Sequence, residues 1–165
     1  MNKLSAILAV AMLLFCSQDV RGQGDDASSR ETLKGLNEIG VQVLSDSCAG
    51  RGYVAAVLNN EAELQLRLAG IKVLPPGAVA HAILLVKLVC VELNGNIKGY
   101  TYTQWSEVLQ WIEWPFSRPT KLVKVVTWSS LMHLGTESDN NATRVRDAIN
   151  ANIRQFLNAW LAVNR

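Results

Sequence analysis

Two cysteines are the residues in this chain whose spacing could support covalent chemistry. A bridge between Cys48 and Cys90 would close a loop of about 40 residues, worth roughly 3–4 kcal/mol in the chain-entropy model. The alternative is that Cys90 is a small apolar residue inside a strand. The two interpretations differ in whether a thiol-blocking reagent reacts with the native, unreduced protein.

The residue patterns of common enzyme and cofactor sites are missing from the sequence. It contains no HExxH, CxxC or GxSxG pattern, and Gly50-Arg51-Gly52 is only a fragment of a phosphate-binding loop. His81 and His133 have no acid or cysteine at ligand spacing. We therefore predict a protein that is not an enzyme, with no catalytic residues, no metal site and no cofactor.

A group of aromatic side chains offers a second kind of chemistry, the stacking of rings. Such a platform could bind sugars or bases, which makes a carrier of a small apolar or glycan ligand the alternative function. Cross-strand packing explains the same side chains more simply. The group consists of Tyr100, Tyr102, Trp105, Trp111, Trp114 and Trp128.

The first residues of the chain are typical of a secretory signal. Lys3 precedes an uninterrupted apolar run from Leu4 to Phe15, which is short for a permanent membrane anchor. We predict a signal peptide at 1–22, a flexible polar leader at 23–32 and a single domain at 33–165. The protein would then be periplasmic or secreted.

The mature chain carries little net charge. Loss of Lys3, Arg21 and Asp19 lowers the formal charge from +2 to +1, so no nucleic-acid partner is expected. No later stretch has the roughly 18 consecutive apolar residues of a spanning helix, and we predict no transmembrane segment in the mature chain.

Hydrophobic periodicity predicts an α+β fold. The helix before Gly70 begins either at a cap formed by Asn59 and Asn60 or upstream near residue 54. Two amphipathic helices on one face of a mostly antiparallel sheet of about five strands make a two-layer sandwich, in the order β-α-β-β-β-β-α. The predicted strands are 36–44, 71–74, 82–93, 99–114 and 123–129, with a hairpin turn at Asn94-Gly95-Asn96 and a last helix at 140–163.

The long strand at 82–93 is apolar on both of its faces, although one face of such a sheet normally meets water. Either the loops at 45–58, 115–122 and 130–139 cover the second face, or a partner subunit, another protein or an apolar ligand does. The second case predicts an interaction surface on this face. Its residues would be Leu85, Lys87, Val89, Trp105 and Trp111.

Several segments together resemble a family of uncharacterised exported bacterial proteins. These are 33–36 (LKGL), 41–43 (VQV), 66–71 (LRLAGI), 127–129 (TWS) and 156–161 (FLNAWL). The element order also looks like small envelope modules, such as the lipopolysaccharide-assembly lipoprotein and auxiliary components of envelope transporters. Those proteins are usually lipid-anchored, whereas Phe15-Cys16 does not look like a lipidation site. The resemblance implies an exported, non-catalytic envelope module that binds a partner protein or itself through the apolar sheet face.

Overall fold

The computed structural model describes residues 25–51, 53, 55–93, 99–114, 118–137 and 143–165. The predicted signal peptide at 1–22 and the predicted turn at 94–96 lie outside these residues. The helices of the described part are α1 (Ala27–Glu31), α2 (Ala55–Leu68), α3 (Thr143–Asn164) and a 3-10 helix (Asp46–Arg51). Its strands are β1 (Glu38–Leu44), β2 (Lys72–Val73), β3 (Ala82–Glu92), β4 (Tyr100–Trp114), β5 (Lys121–Ser129) and β6 (His133–Glu137).

The six strands of the described residues form one open sheet in the order β2-β1-β3-β4-β5, and β6 pairs with the other half of the β4 edge. β1 runs parallel to β2 and to β3, while the pairs that involve β4 are antiparallel. Helices α2 and α3 pack on one face of this sheet. The predicted α+β class, a two-layer sandwich with a mostly antiparallel sheet, is confirmed.

The core lies between the helices and the face of the sheet that they cover. Alternate residues of β3 point into it, because successive strand side chains face opposite ways. The Trp128 ring packs edge-on against Phe156 with centroids 5.5 Å apart. Burying each large apolar side chain stabilises the fold by about 1.5–3 kcal/mol. The core includes Ala82, Leu84, Val86, Leu88, Cys90, Leu58, Leu66, Ile149 and Ile153.

Helix α2 begins upstream, at Ala55, so Asn59 lies inside it rather than capping it. The Asn59 amide instead donates to the Glu63 carboxylate, one turn later, at 2.7 Å. The helix ends at Leu68, and Gly70 just beyond it has a φ of 91°, the left-handed value that favours glycine. The N–H groups of Gly70 and Ile71 donate to the carbonyls of Arg67 and Leu66, which is a Schellman motif.

Residues 25–32 of the predicted flexible leader form α1 and its flanks. Asp26 caps this short helix and Ser29 completes a capping box. Asp25 accepts hydrogen bonds from Arg30 at 2.7 Å and from the Trp128 indole at 3.2 Å. Polar side chains hold this segment in place, and such contacts leave no hydrophobic periodicity for sequence analysis to detect.

The segment predicted as a loop at 130–139 contains strand β6. The β5–β6 connection is held by a buried polar network, in which the Asn152 amide donates to Gln104 Oε1 at 2.7 Å and to the Leu131 carbonyl at 3.2 Å. The Ser130 hydroxyl accepts the Ser106 N–H at 2.8 Å. This network gives a reason for Asn152, which interrupts the apolar stripe of α3 and is fully buried.

Candidate functional site

The two cysteines form a disulfide that joins the 3-10 helix to β3. Cys48 and Cys90 are both buried, with Cα atoms 5.2 Å apart. The backbone N–H of Cys90 also donates to the Ser47 hydroxyl at 3.1 Å. The bridge lies on the helix-covered side of the sheet, because Cys90 shares its face with the core residues of β3. It therefore holds the 46–51 segment against the core.

The opposite side of the sheet, here called the outer face, carries an apolar surface. Strand alternation places the odd-numbered residues of β3 and β4 there. A bulge opposite Val108 and Leu109 resets β5, so that its even-numbered residues from 122 to 126 join the same face. The apolar members of the outer face are Ile83, Leu85, Val89, Val91, Trp105, Leu109, Trp111, Leu122, Val126 and, from β1 and β6, Leu44 and Leu134.

The structure brings all five residues of the predicted interaction surface to the outer face. Val89 and Trp111 are each 42% exposed, and Lys87 and Trp105 are partly buried. Leu85 is only 7% exposed, so it can contribute little contact area to a docked molecule. It lies between Gln42 and Glu107 in the register of the sheet. Alternation predicts the side of the sheet on which a residue lies, but not the depth at which its neighbours bury it.

An ion pair occupies the middle of the outer face. The Lys87 Nζ lies 2.7 Å from Glu107 Oε2, and the Trp105 indole N–H donates to Glu107 Oε1 at 2.9 Å. The same ammonium group lies 5.3 Å from the centroid of the Trp105 ring. Both carboxylate oxygens have donors, so the pair presents no uncompensated charge to a molecule that covers it.

A second cation contacts the other tryptophan of this face. The Lys124 Nζ lies 5.8 Å from the centroid of the Trp111 ring. The two residues are opposite each other in the β4–β5 ladder. This contact orients an indole that remains substantially exposed.

The three most exposed apolar residues of the outer face did not enter the predicted surface. Val91, Leu122 and Leu134 are 61%, 63% and 74% exposed. The parity of β3 already indicated Val91. Leu122 preceded the predicted start of its strand, and Leu134 belongs to β6, which was predicted as a loop. The face of the sheet on which Leu122 and Leu134 lie could be assigned only after the β5 bulge and the β6 pairing were known.

Two of the three loops that were candidates to cover the outer face are placed elsewhere in the described part of the chain. The 46–51 segment is bound to the helix side through Cys48. Residues 133–137 extend the sheet as β6, and residues 118–120 are exposed. Residues 52, 54, 115–117 and 138–139 of these predicted covers are outside the described set. The segments that are described leave the outer face open to solvent.

The aromatic side chains do not form the single platform that a glycan carrier would use. Tyr100, Tyr102 and Trp128 are buried on the helix side, whereas Trp105 and Trp111 lie on the outer face. The side chain of Trp114 is outside the described part. Two surfaces separated by the sheet cannot stack on one sugar ring.

The buried tyrosines form a polar cluster beside the core. The hydroxyl groups of Tyr53 and Tyr100 are hydrogen-bonded, and their rings meet edge-on with centroids 6.1 Å apart. Burial raises the pKa of Tyr53, and its contact with Tyr100 raises it further. Burial and the nearby Glu137 carboxylate also raise the pKa of Tyr102. These phenols stay protonated and act as hydrogen-bonding groups within the fold.

Two features are absent from the described residues. No group of three or more His, Cys, Asp or Glu side chains among them is arranged to hold a metal ion. None of the helices that they form combines the length and apolar character needed to span a membrane.

Comparisons with known proteins give only distant likenesses. No family model matches the chain, and no curated protein matches it. A dodecameric PelC variant from Paraburkholderia phytofirmans is similar over 76% of this chain and 86% of its own, at 13% identity and a TM-score of 0.39. A minor lipoprotein from Acinetobacter baumannii is similar over 74% of this chain and 91% of its own, at 9% identity and a TM-score of 0.33. Likenesses at this distance carry no conclusion about what this chain binds.

Proposed function

We propose that this protein is an exported, non-catalytic binding or assembly module of the bacterial envelope, which docks a partner protein or a second copy of itself on the outer face. The observation that supports this proposal is the open apolar surface on the sheet. Val91, Leu122 and Leu134 expose more than half of their side chains there. Large exposed apolar patches on soluble domains usually mark interaction sites.

The composition of the outer face favours a protein as the docked molecule. Its middle combines tryptophan with aliphatic side chains, and its charged pair at Lys87 and Glu107 is already neutralised. Polar residues such as Thr101, Thr103 and Glu113 lie among the apolar ones on the same face. Protein interfaces are enriched in aromatic residues and combine apolar with polar contacts.

The disulfide supports the exported part of the proposal. Bridges such as Cys48–Cys90 persist in oxidising compartments and are rare in the reducing cytosol. The predicted signal at 1–22 would deliver the chain to such a compartment.

The test is site-specific photo-crosslinking in cells that express the full chain natively. A photoreactive residue replaces Val89 on the outer face or, as the control, Val57 on α2; the two side chains are 42% and 44% exposed. We expect a discrete adduct, identified by mass spectrometry, from position 89 and none from position 57. An adduct with the same chain would establish self-association, and one with another protein would identify the partner.

A charge in the outer face provides the complementary test. Val89→Asp should abolish the adduct formed by a photoreactive residue at position 111, because a carboxylate would lose its hydration when the face is covered. Val57→Asp should leave that adduct unchanged. Equal adduct yields from positions 89 and 57, or an adduct that survives Val89→Asp, would contradict the proposed function.

A further inference from the structure

Strand β1 extends well beyond the strand that borders it. It contains seven residues, but β2 pairs only with Glu38 and Ile39. The chain then turns away at Pro75-Pro76. Continuing the register would require an N–H from Pro76 to reach the Val41 carbonyl, and proline has no N–H to donate. The rest of β1 is therefore paired on one side only, with β3.

The alternation of a parallel strand shows which backbone groups are left at this edge. Ile39 faces β2, since its carbonyl accepts the N–H of Leu74 at 2.9 Å. Val41 and Val43 continue this alternation and direct their N–H and C=O groups to the same side. Within the described residues, the backbone N–H and C=O groups of Val41 and Val43 have no hydrogen-bond partner.

Two clefts, each of about 350 Å³, flank this edge. One lies between β1 and the first half of α2, where Ala55 and Ala56 present small side chains. The other lies between Gly40, Ile83 and the loop at 75–78. We call the Val41–Val43 edge together with these two clefts the edge groove.

We propose that the edge groove binds a short extended segment of a partner polypeptide by β-strand addition. The free N–H and C=O groups of Val41 and Val43 would pair with the backbone of that segment. At about 3.3 Å per residue, the open part of β1 accommodates four or five residues. Alternate side chains of the segment would enter the two clefts, whose linings combine small and apolar residues with the polar side chains of Gln42, Asn59, Asn60 and Glu63.

The surroundings of the edge favour a single strand over a second sheet. A flat, uncovered edge would pair with the edge of another folded sheet. Here the Pro75-Pro76 turn and α2 stand on either side of β1, so an approaching sheet would collide with them. A segment one strand wide fits between them. The proposal rests on the backbone groups of Val41 and Val43, which are not part of the outer face; Ile83 is the residue that the outer face shares with the edge groove.

The free protein offers the first test, by amide hydrogen exchange measured residue by residue. We expect the amides of Val41 and Val43 to exchange at least about tenfold faster than those of Gln42 and Leu44, which face β3, because only the first two lack an acceptor. Equal protection of all four amides would mean that the edge is already paired, and would overturn the proposal.

Binding is tested with a display library of random octapeptides selected on the mature, disulfide-bonded protein. Selected peptides should slow exchange of the Val41 and Val43 amides. Ala56→Trp, which fills the cleft beside α2 from an exposed position, should raise their Kd by about tenfold or more. Val57→Trp, on the neighbouring exposed position outside the groove, should leave the Kd unchanged, as should Val89→Asp on the outer face.

The opposite results are equally specific. Peptides whose binding is insensitive to Ala56→Trp, or that protect other amides, would overturn the proposal, and so would a library that yields no peptide protecting Val41 and Val43. Loss of peptide binding with Val89→Asp would place the peptide on the outer face instead.

Discussion

At the scale of single residues, several polar side chains explain features that hydrophobic patterning leaves open. Asn152 interrupts the apolar stripe of α3, and the sequence offered no reason for it. Its partners, Gln104 and the Leu131 carbonyl, belong to a strand and to a connection far away in the sequence. Such a contact becomes visible only when both elements are placed, so the sequence alone shows no cause for the interruption.

A charge at this position should destabilise the fold. In Asn152→Asp a carboxylate would replace the donor that faces Gln104 Oε1, leaving two acceptors in contact inside the core. We expect a loss of about 3 kcal/mol or more in the free energy of unfolding, measured by urea denaturation. Asn158→Asp, at an exposed position of the same helix, should change it by less than about 0.5 kcal/mol. Equal effects of the two variants would show that the network has no role in stability.

Asp25 should make stability depend on acid pH. Burial alone would raise the pKa of this carboxyl group, but hydrogen bonds from Arg30, Trp128 and Gln155 together hold it below its ordinary value of 3.8. Because the pKa is depressed in the folded state, the carboxylate contributes stability above the ordinary value and loses it as pH falls through the folded value.

The test compares the wild type with Asp25→Asn by urea denaturation at about pH 7 and about pH 3. We expect the variant to be less stable at the higher pH, with a difference that shrinks at the lower pH. Glu31→Gln, at an exposed position, is the control and should show little difference at either pH. A difference between wild type and Asp25→Asn that stays constant with pH would contradict this role of the carboxylate.

At the scale of elements, a helix with strong hydrophobic periodicity was predicted accurately from the sequence, whereas a strand with weak periodicity was missed. The apolar stripe of α3 predicted the first residue of that helix to within three positions and its last residue to within one. Strand β6 is short, exposed at one edge and interrupted by Gly135, where a Cβ would come within 2.7 Å of the Tyr102 ring. Glycine weakens the strand signal in sequence, but packing against the tyrosine requires it here.

The disulfide is the element-scale contact whose removal should matter most. Replacing Cys48 and Cys90 by alanine releases the 3-10 helix from β3, and we expect a loss of about 2–5 kcal/mol in the free energy of unfolding. The measurement is urea denaturation of the double variant beside the oxidised wild type. Reducing the wild type with a thiol reagent should produce a similar loss, whereas stability that reductant leaves unchanged would contradict the bridge.

At the scale of the whole molecule, the sheet has one face that packs against the helices and an outer face that we propose for recognition. The sequence located both faces, because β3 is apolar at odd and even positions alike. It did not determine what covers the second face, since that depends on the course of loops and on the bulge in β5. With these in place, the described loops leave the surface around Val89 and Trp111 exposed.

The most direct measurement of the central claim is hydroxyl-radical footprinting of the protein in intact native cells and after purification as a monomer. We expect Trp111, Leu122 and Leu134 to be oxidised in the purified protein and protected in cells. Leu64 and Leu68 on α2, which are 58% and 80% exposed, should be oxidised equally in both settings. If the outer-face residues react as strongly in cells as in the purified protein, no partner covers this face and the proposed binding function is wrong.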